Sequence, residues 1–242
     1  MSKARREDFD PKFFKGVAHR GLHNEQFTEN GLNAFQNAID HGLSFELDIH
    51  LTKDNELIVC HDPDLKRTTG KEGIIEHLTS KEIREKYRLL DGEVVPTLQE
   101  VLDLNKEREL IVVELKPLEK NHKALAKKAL EVLEQIQDKK KITLISFDPR
   151  ALWPCKKSPF TRGLLLAKVR YDVAFFRNTV DYIDIEDVLV DEPKMKKYRQ
   201  KGGIVNCWTI RTPEQFEAVK EKVDTVTFEL MDNQIVKDYY NK

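Results

Sequence analysis

Cysteine is scarce in this 242-residue chain, which has only Cys60, Cys155 and Cys207. So small and odd a number builds no disulfide framework and fits a reducing, cytoplasmic setting. Cys60 and Cys207 sit inside apolar strands, where core packing is the expected role. Nowhere do about 18 apolar residues run consecutively, so no membrane-spanning helix is expected. The start, Met1 to Asp8, opens basic but lacks the apolar stretch of a secretory signal. An excess of one charge is missing too: 41 Lys plus Arg stand against 42 Asp plus Glu, leaving a net charge near −1 and no basis for a nucleic-acid partner. A small-molecule partner is expected instead, and oligomeric state leaves no mark in the sequence.

What is present is a concentration of acid–base and charged groups at strand ends. Phe45 to Thr52 alternates, with Glu46, Asp48 and His50 on one face and Phe45, Leu47, Ile49 and Leu51 on the other. Asp54-Asn55 reads as a two-residue turn, and Leu57 to Cys60 as the returning strand. If the turn holds two residues, facing positions sum to 109 and Asp48 stands opposite His61, with Cβ atoms roughly 5 Å apart; a bulged turn would shift this register by one.

Carboxylates at i and i+2 on one strand repel unless a cation neutralises them. Glu114, near the end of the apolar run Ile111 to Lys116, is a third candidate. Three oxygen donors, with no cysteine or histidine at paired spacing, point to one divalent cation, Mg²⁺ or Ca²⁺, rather than zinc. Such an ion would hold a phosphoryl oxygen and take up negative charge. Arg20, with its planar fork, and Lys116, as a point charge, suit the remaining phosphate oxygens. His19 and His61 are the acid–base candidates because imidazole titrates near working pH, at about 6.5. Which is acid and which base stays open. Singly, each residue has an ordinary structural explanation; their convergence at strand ends argues for hydrolysis of a phosphate ester.

Strands and helices alternate along most of the chain. After Val17 to His19, a helix from about Glu29 to His41 carries Leu32, Phe35 and Ile39 inward. Pro96-Thr97-Leu98-Gln99-Glu100 opens another with a capping box. A helix near His122 to Gln137 buries Leu125, Leu130, Leu133 and Ile136, and Thr212-Pro213 starts a fourth. Further strands are Ile142–Phe147, Leu164–Lys168, Asp184–Val190, Ile204–Thr209 and Thr225–Leu230. Excluding the returning strand, eight are expected, the number of a closed α/β barrel of the TIM type, whose active sites lie at strand C-terminal ends. The whole chain, 1–242, reads as one such domain with a small insertion at about 63–95, either a partial lid or a solvated connector.

The motifs Ala18-His19-Arg20-Gly21, Glu29-Asn30, Glu46-Leu47-Asp48, Leu51-Thr52-Lys53-Asp54, His61-Asp62 and Arg67-Thr68-Thr69-Gly70 closely resemble those of the glycerophosphodiester phosphodiesterases. The likeness continues through Pro96-Thr97-Leu98, Val113-Glu114-Leu115-Lys116, Ser146-Phe147-Asp148 and Cys207-Trp208-Thr209. The resemblance implies a TIM-type barrel that releases an alcohol and glycerol 3-phosphate. It makes His19 and His61 the acid–base pair, Glu46, Asp48 and Glu114 the metal ligands, and Arg20 and Lys116 the phosphate contacts. It adds Asn30, Trp208 and Glu229 as substrate-binding candidates, although Asn30 fits a helix cap equally well.

Two departures stand out. The family's Pro-Glu-Asn-Thr is Thr28-Glu29-Asn30-Gly31 here. Its C-terminal Thr-Asp is Phe228-Glu229, which bears on substrate preference. Two rivals remain: a lysophospholipase D or phosphatidylinositol-type phospholipase on the same fold, and a non-catalytic barrel that binds phosphate esters. The first needs apolar residues at the rim. Phe13, Phe14, Phe175, Phe176 and Phe228 are the candidates, with burial the favoured reading for all five.

Overall fold

A computed structural model of the chain describes residues 5–168 and 180–241. Among these residues nine strands form one sheet: β1 (Val17–Ala18), β2 (Ser44–Leu51), β3 (Leu57–Val59), β4 (Ile111–Leu115), β5 (Ile142–Ser146), β6 (Thr161–Leu166), β7 (Tyr182–Glu186), β8 (Val205–Ile210) and β9 (Thr225–Phe228). β1 pairs in parallel with both β2 and β9, so eight strands close into a barrel, and among the described residues only β3 is antiparallel. The expected TIM-type barrel is therefore the observed one.

Every residue of β2 is buried, because the strand is covered on both faces. Phe45, Leu47, Ile49 and Leu51 face outward into the annular core beneath the helices, as the period of two requires. The helix Leu32–Asp40 buries Phe35 and Ile39 in that layer, with Leu32 packed at its edge. Thr97 and Glu100 form the predicted reciprocal capping box of the helix Leu98–Asn105, and Thr212 caps the helix Pro213–Val219. Leu125, Leu133 and Ile136 are buried as expected, with Leu130 at the edge.

Three expectations are corrected. The hairpin pairs Ile49 with Val59 and Leu51 with Leu57, so facing positions sum to 108, not 109. The cause is Asn55, which adopts a left-handed conformation at φ +61°, while Thr52 N–H donates to Glu56 O at 2.9 Å. The loop thus holds one more residue than a two-residue turn. Asp48 accordingly bonds Cys60, whose N–H donates to Asp48 O at 3.1 Å, instead of facing His61. β7 starts two residues before Asp184 and ends at Glu186, because Asp187–Leu189 turns as a 3₁₀ helix and leaves Val188 exposed. β6 likewise lies earlier than Leu164–Lys168, at Thr161–Leu166.

The segment 63–95 is folded. Ile58, Cys60, Leu65, Ile75, Ile83, Tyr87, Leu89 and Val95 make a local core, around which sit the short helices Lys66–Thr69 and Ser80–Lys86. At the opposite end, the 3₁₀ helix Pro11–Lys15 carries Phe13 under the barrel, against Phe9 and Tyr182. The Phe13 and Tyr182 ring centroids lie 4.9 Å apart.

Candidate active site

β2, β4 and the turn after β1 build the centre of the mouth. Glu46, Asp48 and Glu114 project inward, and one carboxylate oxygen from each lies within 4.8 Å of the others. Asp48 pairs in register with Glu114, so parallel strand pairing itself places two of the three acids side by side. Glu46 Oε1 and Asp48 Oδ1 are buried without a hydrogen-bond partner. Burial, with repulsion from Asp48, raises the Glu114 carboxyl to about 8. Glu46 rises well above the carboxylate range for the same reasons, with Glu114 adding to the repulsion. Asp48 is driven the other way: burial opposes its ionisation, but Lys116 and Arg20 outweigh it. Three oxygen donors this close, two with buried oxygens that no hydrogen bond satisfies, fit a hard divalent ion.

Arg20 stands in a left-handed conformation, φ +53°, which only a supported turn holds for a side-chain-bearing residue. The turn aims its amide at Glu46 Oε2, 3.0 Å away, and its guanidinium at Asp48, with Nε 3.4 Å from Oδ2. Gly21 follows at φ +80°, where a Cβ would meet the Ala34 carbonyl carbon at 2.8 Å. Lys116 Nζ lies 3.2 Å from Glu114 Oε1 and 3.6 Å from Asp48 Oδ1. Asn30 does not cap the following helix, whose N-cap is Gly31. Its amide instead donates to Asp48 Oδ2 at 2.9 Å and its oxygen accepts from the Asp48 amide at 3.3 Å.

Each histidine is held by a carboxylate. Glu229 accepts from His19 Nδ1, and also from Arg211 Nε at 2.7 Å and His23 Nε2 at 3.3 Å. Asp62 accepts from His61 Nδ1 at 2.6 Å. A carboxylate can only accept, so Nδ1 carries a proton in both rings and Nε2 is left for other work. His19 Nε2 is 3.9 Å from Glu46 Oε2. Burial lowers the pKa of both imidazoles, against the pull of Glu229 on one and of Asp48 on the other.

These groups share a cavity of about 180 Å³ lined by His19, Arg20, Glu46, His61 and Glu114 on one side. Ile145, Phe147, Leu165 and Trp208 form the facing wall, where the Phe147 and Trp208 rings meet edge to face at 5.4 Å. Of the sequence candidates, Trp208 lines the cavity and Glu229 reaches it through His19, whereas Asp48, with Asn30 and Lys116 on its oxygens, lies behind the lining. His50 turns away to Glu76 and the His61 carbonyl. The pairing of Glu229 with His19, the Arg211 contact and Asp184, a buried wall residue whose carboxyl burial raises to about 7, left no local signal in the sequence. Asp62 and Glu29 were visible as neighbours of His61 and Asn30, without a role. Phe13 and Phe228 are buried and Phe14 packs at the barrel's other end, so these three supply no apolar rim; Phe175 and Phe176 lie outside the described residues. No helix among the described residues is long and apolar enough to cross a membrane.

Such a mouth places the chain in the class of closed barrels equipped for phosphate-ester chemistry. The model of the glycerophosphoryl diester phosphodiesterase family matches residues 19–232, and the chain belongs to that family. A glycerophosphodiester phosphodiesterase of Caldanaerobacter subterraneus is 32% identical over 58% of this chain and 61% of its own length. A crystal structure of a glycerophosphodiester phosphodiesterase from Parabacteroides distasonis superimposes with a TM-score of 0.79 at 25% identity, covering 93% of this chain and 95% of that one. The fold also matches an Oleispira antarctica phosphodiesterase, determined in complex with its product sn-glycerol-3-phosphate, at a TM-score of 0.82 and 23% identity over 93% and 96% of the two chains.

Proposed function

We propose that the protein hydrolyses glycerophosphodiesters to an alcohol and glycerol 3-phosphate within a single barrel domain, in the cytoplasm. Three unpaired buried cysteines support that compartment. The observation that carries the activity is the pair of imidazoles, each with Nδ1 fixed on a carboxylate and both lining the hollow that Glu46 and Glu114 also line.

Glu46, Asp48 and Glu114 would hold one divalent cation, Mg²⁺ or Ca²⁺. When bound it supplies Lewis-acid stabilisation of negative charge on the phosphoryl group. Arg20 and Lys116 bind the remaining phosphate oxygens, and Asn30 keeps Asp48 in place. One histidine accepts a proton at Nε2 from the attacking oxygen as the new P–O bond forms: water gives glycerol 3-phosphate directly, whereas the neighbouring glycerol hydroxyl gives a cyclic phosphate that water then opens, the two histidines exchanging roles. The other donates its Nε2 proton to the departing alkoxide as the old P–O bond breaks. Trp208 and Phe147 offer the glycerol or head-group carbons an apolar face. The segment 63–95 follows directly on His61 and Asp62 at the mouth and acts as a partial lid.

The test is to strip the protein of metal and incubate it with a panel of glycerophosphodiesters, adding Mg²⁺ or Ca²⁺ separately and measuring glycerol 3-phosphate. Release that requires an added ion is expected. Binding of the diesters without release under every condition would leave only a phosphate-ester-binding barrel. Parallel assays on glycerophosphocholine and lysophosphatidylcholine separate this reading from a lysophospholipase D; the burial of Phe13 and Phe228 favours the water-soluble diester.

A further inference from the structure

Arg67 belongs to the motif Arg67-Thr68-Thr69-Gly70, which none of the chemistry above uses. Its guanidinium makes three hydrogen bonds to two carboxylates: Nε to Asp62 Oδ2 at 2.6 Å, Nη1 to Glu29 Oε2 at 2.7 Å and Nη2 to Glu29 Oε1 at 2.9 Å. Each carboxylate is also engaged with a group of the mouth. Asp62 Oδ1 takes the His61 Nδ1 proton at 2.6 Å, and Glu29 Oε1 accepts from Arg20 Nη1 at 2.7 Å. His61, Asp62, Arg67, Glu29 and Arg20 thus form one unbroken chain. It links an imidazole at the end of the β2–β3 hairpin to a guanidinium in the turn after β1.

The mount is rigid. Leu65 is fully buried in the local core of segment 63–95, Thr68 is buried beside Cys60, and Thr68 O accepts from the Leu90 amide at 2.9 Å. An exposed ion pair is ordinarily weak, and the Arg67 side chain is half exposed. Here, however, a planar fork fixes the angle between two carboxylates, which a single charge at the end of a flexible stem cannot do.

We propose that Arg67 is a positioning residue that sets the acid–base imidazole of His61 and the phosphate-binding guanidinium of Arg20 in register with each other. It acts through Asp62 on the first and through Glu29 on the second, and touches neither substrate nor metal. The inference rests on the roles given to His61 and Arg20 above. It assigns the segment 63–95 a purpose beyond covering the mouth: it carries the brace between the two sides of the site.

The test compares Arg67→Gln, Arg67→Lys, Asp62→Ala and Glu29→Ala, alone and with Arg67→Gln added to each of the last two. kcat and KM for glycerophosphocholine at saturating divalent ion are read beside the melting temperature. Asp62→Ala is expected to lower chiefly kcat and Glu29→Ala to raise chiefly KM. Arg67→Gln should do both, by roughly 10-fold and a few-fold, the scale on which orienting partners act. On the Asp62→Ala background it should cost less than about 2-fold more in kcat, and on Glu29→Ala less than about 2-fold more in KM. Arg67→Lys should behave like Arg67→Gln, and it carries the test should the glutamine variant not fold.

Recovery of wild-type kinetics by Arg67→Lys would reduce the residue to a charge and overturn the proposal. So would full additivity of Arg67→Gln on both backgrounds, or a silent Arg67→Gln while His61→Ala and Arg20→Lys are crippled. If His61→Ala and Arg20→Lys are themselves active, the underlying reading fails first and the brace falls with it.

Discussion

At the amino-terminal end of the barrel, Phe9, Phe13, Val17, Leu110, Val112 and Tyr182 fill the interior, and the only polar atom among their side chains, Tyr182 Oη, is buried without a partner. At the carboxyl end, Glu46, Asp48 and Glu114 crowd together with orphaned oxygens, an arginine at positive φ and carboxyls raised by burial and repulsion. The same eight strands run through both ends, yet one end is packed for stability and the other holds charges that the fold alone would expel. Burying a ring such as Phe13 contributes about 1.5–3 kcal/mol. Aromatic packing at the floor therefore offsets the cost of burying acids at the mouth, which Arg20 and Lys116 compensate only in part. Substitutions at the two ends should separate accordingly: mouth variants change turnover and ion affinity, and floor variants change stability.

The largest effects belong to the mouth. His19→Ala or His61→Ala is expected to lower kcat by at least about 100-fold, since a positioned acid or base is worth about 10²–10⁴. The melting temperature should barely move, and near-wild-type turnover would remove that histidine from the chemistry. Next is Glu46→Gln, which removes one charge of the proposed ligand set and should weaken divalent-ion affinity by roughly 10-fold or more in calorimetry. An unchanged affinity would detach Glu46 from the cation.

A third effect is a slope. In the metal-free protein Glu114 titrates at about 8 against an ordinary 4.5, and Glu46 is raised in the same sense. A raised carboxyl favours the fold while protonated, so its contribution is complete below about 4.5 and is lost as pH climbs through the folded value. The lowered histidines act oppositely only up to their ordinary 6.5. Between about 6.5 and 8, therefore, the melting temperature of the metal-stripped protein should fall, and saturating Mg²⁺ or Ca²⁺ should flatten the fall. A slope identical with and without ion would break the contrast between the two ends.

The contrast also shows which features the sequence made legible. The carboxylates were readable because a strand's period of two and the ends of two apolar runs place Glu46, Asp48 and Glu114 on one side of parallel neighbours. Thr97-Leu98-Gln99-Glu100 and Thr212-Pro213 were readable because capping is local. The hairpin register was not: it turned on Asn55 taking a left-handed conformation, which Asp54-Asn55 permits without requiring. Glu229 was visible only as a departure from a motif, because its partner His19 is 210 residues away and only barrel closure brings β9 beside β1. Arg67 and Glu29 fall to the same rule, their contact lying between the short helix Lys66–Thr69 and the turn before Gly31, which share no strand pairing.

The smallest expected effect on turnover comes from the floor. A Cβ built on Gly163 would sit 2.3 Å from the Tyr182 ring, inside a layer where Phe13 and Phe9 leave the ring no retreat. Gly163→Ala should therefore lower stability by about 1–3 kcal/mol, the usual cost of overpacking, read from the denaturant midpoint at unchanged m-value. Turnover at saturating ion should stay within about 2-fold of wild type, because Gly163 stands at the third residue of β6 and takes no part in the ion and proton network of the mouth. A Gly163→Ala protein with intact stability would mean that Tyr182 can shift. One with intact stability and lost turnover would mean that the floor and the mouth are coupled through β6 and β7, and the division between the two ends would not hold.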